Sequence, residues 1–348
     1  MFRNVWIVVA LGAVAANAPA HQTTMKAIVR ERYGPPDVLE LRDVERPAID
    51  DDSILVRVRA ASINAYDWHM MRGRPSLVRI VAGLRKPKSS AMGVDVAGQV
   101  EAVGKNVTQF RPGDEVFGSR SGSLAEYVRG TSQSFLVPKP ARLTFEQAAA
   151  VPMAGTTALQ GLRDKGQIRP GQKVLINGAS GGVGTFAVQI AKAFGAHVTA
   201  VCSTGNLEQA RSLGADEVID YTKEDFTRSG KRYDVILDVA ASGPLSSRRR
   251  VLEPSGILVG VGSADSRYGM TSLLAGLVET AVLSRFGKQK MPFFLAKNSK
   301  EDLMVLTELI ETGKIRPVID RTYPLRETAE AIRYLEAGHA RAKVVITV

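Results

Sequence analysis

The stretch KVLINGASGGVG, Lys173 to Gly184, decides how the rest of the chain is read. An apolar run from Val174 to Ile176 ends at Asn177 and breaks into a glycine-rich turn. The segment after it, TFAVQIAKAFGA, carries Phe186, Val188, Ile190, Ala191 and Phe194, which suit a buried helix. A second apolar run, AHVTAV at 196–201, follows in register. Strand, glycine turn, helix and strand are the order that a dinucleotide-binding βαβ unit requires. With Ala179 in place of the first glycine, the turn reads A-x-G-x-x-G through Gly181 and Gly184. Gly181 lets backbone N–H groups approach a diphosphate, which the N-terminus of the following helix then holds. Gly184 lets that helix close on the strand. Ala179, Ser180, Gly181, Gly182, Val183 and Gly184 are therefore the expected cradle; the alternative is a tight turn that binds nothing.

The tip of the second strand bears on which dinucleotide binds. It reads Cys202-Ser203-Thr204-Gly205-Asn206, with no acid before Glu208. A carboxylate about 20 residues past the turn holds the ribose 2′-OH of NAD; hydroxyls without one suit a 2′-phosphate. Ser203 and Thr204 thus point to NADPH over NADH. Arg211, Arg341 and Lys343 are candidates to supply the matching charge.

The 348 residues, 45% of them hydrophobic, are enough for two domains with cores of their own. Forty-six basic and 35 acidic residues give a net charge of +11. The excess is partly local, in Arg72–Lys88 and in Arg248–Arg250, with no basic arm or aromatic stripe, so nucleic acid is not an expected partner. Those patches read as solvated faces or as attraction for an anionic cofactor. The single cysteine, Cys202, excludes an intrachain disulfide and a cysteine-rich zinc lobe. His21, His69, His197 and His339 form no close pair in sequence, and no metal is expected.

Residues 1–24 stand apart: Arg3, the apolar run VWIVVALGAVAA and Ala18-Pro19-Ala20 have a cleavable signal's layout. The run is short for a membrane span, and Met25 opens a clean strand. The segment is either an upstream mis-start or a true signal or anchor. The location that follows is cytoplasmic in the first case, exported or membrane-anchored in the second.

From 25 to about 150 the texture is strands and turns: KAIVRE, ILVRVRAASI, GVDVAGQVEAVG and FRPGDEVFG, with turn residues every 8–12 positions. FEQAAAVPMAGTTALQGL is helix-forming, with Pro152 interrupting it. Within 151–290, the short strands KVLING, HVTAVC, EVIDY, YDVILDVA and GILVGVG alternate with helical segments, a doubly wound parallel sheet. The apolar stretch 270–286 reads as core or subunit interface. The chain then returns, over 291–348, to the first texture, ending in the strand KVVITV.

GVDVAGQVEAVG, FRPGDEVFG, NGASGGVG, RSLGADEVIDY and HARAKVVITV together resemble the medium-chain dehydrogenase/reductase superfamily, within it the zinc-free quinone oxidoreductase branch and its bacterial alcohol dehydrogenase-like relatives. The resemblance runs from Met25 to Val348. It implies a GroES-like catalytic domain wrapped around a Rossmann domain, often as a homodimer, without stable membrane insertion. It also implies hydride transfer from NADPH to quinones or α,β-unsaturated carbonyls. Zinc-dependent members carry a cysteine ligand where this chain has Asn64, and quinone-reductase relatives an asparagine that faces the nicotinamide. The resemblance also implies help for the 2′-phosphate from Tyr221, and relatives tend to carry a basic residue where Gly205 stands.

Hydride chemistry belongs to the cofactor, so the protein must position it and stabilise charge developing on oxygen. Asn64 suits orienting a carboxamide or a substrate oxygen, or stabilising a turn. Asp67 reads as a helix-capping or orienting group rather than a proton donor. His69 is a candidate to protonate an enolate, or a packing imidazole. Thr157, with Thr156 beside it, is a candidate for the nicotinamide side or a helix cap. Gly260 and Gly262 fall at the carboxyl edge of the sheet, where ligands bind in open α/β folds. Asn298 is a cap or a cofactor contact. Besides a quinone or enone reductase, the residues leave open a zinc-free alcohol or aldehyde dehydrogenase and an NADPH-binding sensor without turnover.

Overall fold

A computed structural model describes residues 23–240, 244–261, 288–338 and 340–348. Most of residues 1–24, the 270–286 stretch and Gly262 lie outside them.

The central strand of the first domain is β3, Ser53–Ile63. Its apolar residues Ile54, Val56 and Val58 pack with Val96, Val116 and Leu136 in one buried cluster. β1 (Thr24–Val29) and β2 (Glu40–Glu45) form a separate antiparallel hairpin. β4 (Asp95–Val103) and β6 (Tyr127–Thr131) both pair with β3 antiparallel, while β5 (Glu115–Ser119) pairs with β4 and β7 (Phe135–Pro138) with β5. Two helices follow β3: α1 (Ala65–Arg72) and α2 (Leu77–Ala82). The segment read as an interrupted helix forms α3 (Phe145–Ala149) and α4 (Pro152–Leu159), with Pro152 at the first turn of the second, where its missing N–H costs nothing.

The second domain is built on β8 (Lys173–Asn177), α5 (Gly182–Ala193) and β9 (His197–Cys202). β10 (Glu217–Asp220), β11 (Tyr233–Asp238), β12 (Leu252–Val261) and β13 (Phe293–Phe294) complete a six-stranded parallel sheet in the order β10-β9-β8-β11-β12-β13. α6 (Leu207–Ser212) and α7 (Leu245–Arg250) are the short helices between them. Side chains alternate across the strands: Val174 and Ile176 enter one cluster with Phe186 and Ile190, while Leu175 enters another with Val201 and Ile236. Both faces are dry, as a parallel sheet covered on both sides requires.

Just past residue 291 the chain still follows the second sheet. β13 still pairs with β12, and α8 (Lys300–Glu311) packs against α4. Only β14 (Ile319–Pro324) and, after α9 (Thr328–Glu336), β15 (Lys343–Thr347) rejoin the first sheet, β15 lying antiparallel on β3. That seven-stranded sheet then reads β14-β15-β3-β4-β5-β7, with β6 as its seventh strand paired to β3 off this path.

Two glycines of the turn differ in what they permit. A Cβ at Gly184 would stand 2.1 Å from the Gly178 carbonyl oxygen and 2.7 Å from Ala179, so the close strand–helix turn has no room for one. A Cβ at Gly181 would meet only the Gly178 oxygen, at 3.7 Å. Gly184→Ala is therefore expected to cost about 1–3 kcal/mol of stability through overpacking, whereas Gly181→Ala should stay within about 0.5 kcal/mol of wild type. Urea denaturation of the two variants checks this, and equal midpoints would refute it.

Candidate active site

The site assembles where the end of β3 meets the starts of its two neighbours. Antiparallel register sets Asp95 of β4 opposite Ser62 and Val344 of β15 opposite Ile63, so Asp95 and Lys343 flank the end of β3. Asn64, the next residue, leaves the strand with extended backbone and starts α1. Asp67, one turn into that helix, turns its carboxylate back to accept the Asn64 backbone N–H at 2.8 Å, an N-terminal cap.

Asn64 Nδ2 donates to Asp95 Oδ2 at 2.9 Å, and Lys343 Nζ donates to Asn64 Oδ1 at 2.5 Å. Chemistry fixes the amide's orientation: an ammonium has no lone pair and a carboxylate no proton, so each meets one end only. Ser62 Oγ also donates to Asp95 Oδ2, and the Met153 N–H at the start of α4 to Asp95 Oδ1 at 3.1 Å. Lys343 Nζ stands 3.5 Å from Asp95 Oδ2. All these groups are buried; Asp95 is 0% exposed and Lys343 3%. Burial holds the Lys343 ammonium below its usual range, opposed by Asp95 and Asp67. Burial raises the Asp67 carboxyl to about 7, with Asp95 adding to the rise and the Asn64 N–H and Lys343 opposing it.

The glycine turn adjoins this network. A Cβ at Gly182 would be 3.0 Å from Lys343 Cδ. α5 starts at Gly181 with no side-chain cap, so the first N–H groups of the helix have no intrahelical acceptor. Ala179, in the turn, is buried, while Ser180, Gly181, Gly182 and Val183 are half-exposed. Room beside Gly181, unpaired N–H groups and the positive helix end fit a diphosphate.

At the tip of β9, Arg341 reaches over Gly205, its Nη2 3.2 Å from where a Cβ there would stand. Its side chain makes no ion pair among the described residues, whereas Arg211 is paired with Glu208. Ser203 accepts from Asn206 Nδ2. The tip is not free of acid, as the sequence suggested: β10 pairs with β9 so that Asp220 lies opposite Cys202. Its carboxylate is engaged by Thr204 Oγ1 at 2.5 Å and by the Thr222 hydroxyl and N–H. Tyr221, beside it, is exposed.

Other expected positions fall differently. Lys343, a candidate for phosphate charge, is committed to Asn64. His69 is drawn the other way: its Nδ1 bonds the Arg74 carbonyl at 2.8 Å and its ring stacks on Trp68. Thr157 Oγ1 donates to the Met153 carbonyl, so it bonds within its own helix rather than capping it. Gly260 sits on β12 beside Phe293 at the carboxyl edge. Asn298 is exposed and is not the cap of α8; Ser299 is, accepting from the Asp302 N–H. Asp95 was missed, although an aspartate opening the strand DVAGQV is a signal that a buried carboxylate needs partners.

Among the described residues no group of three His, Cys, Asp or Glu side chains could hold a metal, and no helix is long and apolar enough to cross a membrane. Between 213 and 346 the sequence has no cysteine and one histidine, His339.

Two family profiles match the chain: Alcohol dehydrogenase GroES-like domain over residues 50–141 and Zinc-binding dehydrogenase over 213–346. The chain is 37% identical over 360 residues to the mitochondrial NAD(P)H oxidoreductase RTN4IP1 of Homo sapiens, covering 94% of this chain and 90% of that one. It is 34% identical over 337 residues to the chloroplastic NADPH-dependent alkenal/one oxidoreductase of Arabidopsis thaliana, covering 92% and 79%. Its structure resembles that of the quinone oxidoreductase from Coxiella burnetii, with a TM-score of 0.81, 31% identity and coverage of 93% and 99%.

The raised Asp67 has a measurable consequence. Its carboxyl holds a proton in the folded state that the unfolded chain releases near its ordinary value of 3.8, so stability falls as pH rises from about 4 to about 7. Asp67→Asn keeps the acceptor for the Asn64 N–H and removes the ionisation. Relative to wild type, the variant is expected to gain about 2–4 kcal/mol between pH 4 and pH 8. Denaturant titrations at both pH values check it, and a pH-independent difference would contradict it.

Proposed function

The chain belongs to the medium-chain dehydrogenase/reductase superfamily as an NAD(P)H oxidoreductase, and on that premise we propose that it is a zinc-independent reductase that uses NADPH on quinones or α,β-unsaturated carbonyls. The observation that carries the reading is the Asn64 amide clamped between Lys343 and Asp95. A site built for zinc gathers thiolates, imidazoles and carboxylates around one point. Here the ammonium of Lys343 already balances the carboxylate of Asp95, and the donor set does not suit a metal.

The nicotinamide supplies a hydride when bound; the protein's residues do the rest. Asn64 Nδ2 has two N–H bonds and gives one to Asp95. The second is available to a carbonyl oxygen, and the pull of Lys343 on Oδ1 strengthens it as a donor. That donor meets negative charge as it develops on oxygen, without reorganising, because both ends of the amide are held. The N–H groups at the start of α5 receive the diphosphate. Arg341, over Gly205, supplies the cation for a 2′-phosphate, and the Arabidopsis relative is named as NADPH-dependent.

Mixing the protein with NADPH and 1,4-benzoquinone or an enone should oxidise NADPH, read as absorbance lost near ~340 nm from the nicotinamide. NADPH binding without oxidation by any acceptor would overturn the enzymatic reading. Asn64→Ala is expected to lower kcat by about 100-fold and, because it removes a partner of buried Lys343, to lower the melting temperature while circular dichroism shows the fold retained; an unaltered kcat would remove the amide from the chemistry. Arg341→Ala should weaken NADPH binding by about 10- to 100-fold and NADH binding little. Equal losses for both cofactors would place the 2′-phosphate elsewhere.

A further inference from the structure

Arg30, directly after β1, is a buried cation whose charge no carboxylate pairs among the described residues. It is 4% exposed. Its Nη1 donates to the Met70 carbonyl, its guanidinium lies 5.5 Å from the Tyr33 ring centre, and its Nε is buried with no partner among the described residues. An unpaired buried charge is costly, and an orphaned N–H beside it adds to that cost. Desolvation accordingly pulls the guanidinium below its usual range, opposed by Tyr33, Tyr66 and Asp67.

The same side chain lines a cavity of about 120 Å³ together with Tyr66, Asp67, Lys88, Ser89 and Val94. Liquid water occupies about 30 Å³ per molecule, so the space takes a group of several heavy atoms. Its walls are the active-site segments: Asp67 caps Asn64, and Val94 precedes Asp95. A guanidinium offers a planar fork that matches a carboxylate with two parallel hydrogen bonds. Lys88, exposed on the lining, adds charge, and Ser89 and Tyr66 add hydroxyls. The single buried guanidinium charge matches a monoanion such as a carboxylate.

We propose that Arg30 and this cavity form a subsite for the carboxylate of the substrate, so that the preferred acceptor is an α,β-unsaturated keto acid rather than a neutral enone. The inference rests on the reductase reading for its choice of acceptor, but the anion site stands on Arg30 alone. Across the C=C bond such a substrate takes up a hydride on its β-carbon and a proton from water on its α-carbon, while NADPH becomes NADP⁺.

Two measurements test it. The first is calorimetric binding of 4-oxopentanoate, the saturated keto acid, and of its methyl ester without cofactor, to wild type, Arg30→Met and Arg30→Lys, each shown folded by circular dichroism. Wild type is expected to bind the acid at least tenfold more tightly than the ester, Arg30→Met to lose that preference, and Arg30→Lys to keep part of it. Should Arg30→Met not fold, Arg30→Lys and Arg30→Gln carry the comparison. The second is the ratio of kcat/KM for 4-oxopent-2-enoate over its methyl ester with NADPH, expected to fall at least tenfold in Arg30→Met. Equal binding of acid and ester by wild type, or a preference that survives loss of Arg30, overturns the subsite while benzoquinone turnover leaves the reductase reading standing. Arg30-dependent binding of the acid, with no NADPH oxidised by acid, ester or benzoquinone, upholds the subsite and overturns the reductase reading instead.

Discussion

A lysine ammonium taken out of water is the constraint on which the site depends. Lys343 is 3% exposed; Asn64 Oδ1 accepts from its ammonium, and Asp95, Asp67 and the Ile63 carbonyl face its charge. Desolvating an ammonium costs several kcal/mol unless geometry and hydrogen bonds compensate. Compensation here is directional: the ammonium takes one end of the Asn64 amide, and Asp95 must take the other. Asp95 is in turn saturated by Ser62 and the Met153 N–H. The chain of donors leaves the amide one orientation, and the positioning of Asn64 follows from electrostatics rather than from packing.

The fold supplies these partners through register. β3 is flanked by β4 and β15, both antiparallel to it, so their first residues come to lie at its last. A slip of one position would turn Asp95 or Lys343 to the opposite face of the sheet. Ala342, just before Lys343, has φ +106, a conformation that L residues seldom adopt and that costs on the order of 1–3 kcal/mol. Its surroundings hold it: Ala342 is buried, and β15 is paired on both sides. That strain sits between Arg341, over the β9 tip, and Lys343, in the Asn64 network, so one bend serves both.

Much of this was legible in the sequence because it is written locally. The turn from Lys173 to Gly184, the alternation of the first-domain strands and the parallel repeat each rest on neighbouring residues, and strand, glycine and helix fall where the pattern puts them. Asn64 and Arg341 were legible as candidates too. What escaped depends on pairing between distant segments. Asp220 reaches the β9 tip only because β10 lies beside β9, so a tip read as free of acid contains one. Lys343 looked like a phosphate ligand from its nearness to Arg341, but the backbone bends at Ala342, φ +106, and β15 then carries Lys343 into the Asn64 network. Asn298 looked like a cap because it precedes a helical run; Ser299, one residue later, has the geometry.

The two domains are joined at the smallest residue available. A Cβ on Gly182, at the start of α5, would press on Lys343 Cδ at 3.0 Å, and Lys343 Nζ holds Asn64. Lys343 is separated from Ile63 by 280 positions, with the whole second domain between. Closing so long a loop would be costly for a flexible chain. The inserted segment is a domain with its own buried sheet, so the span to be closed is the short distance between its ends. β15 completes the first sheet, and the same strand brings Lys343 against both the glycine turn and the amide, so a displacement of β15 would disturb both together.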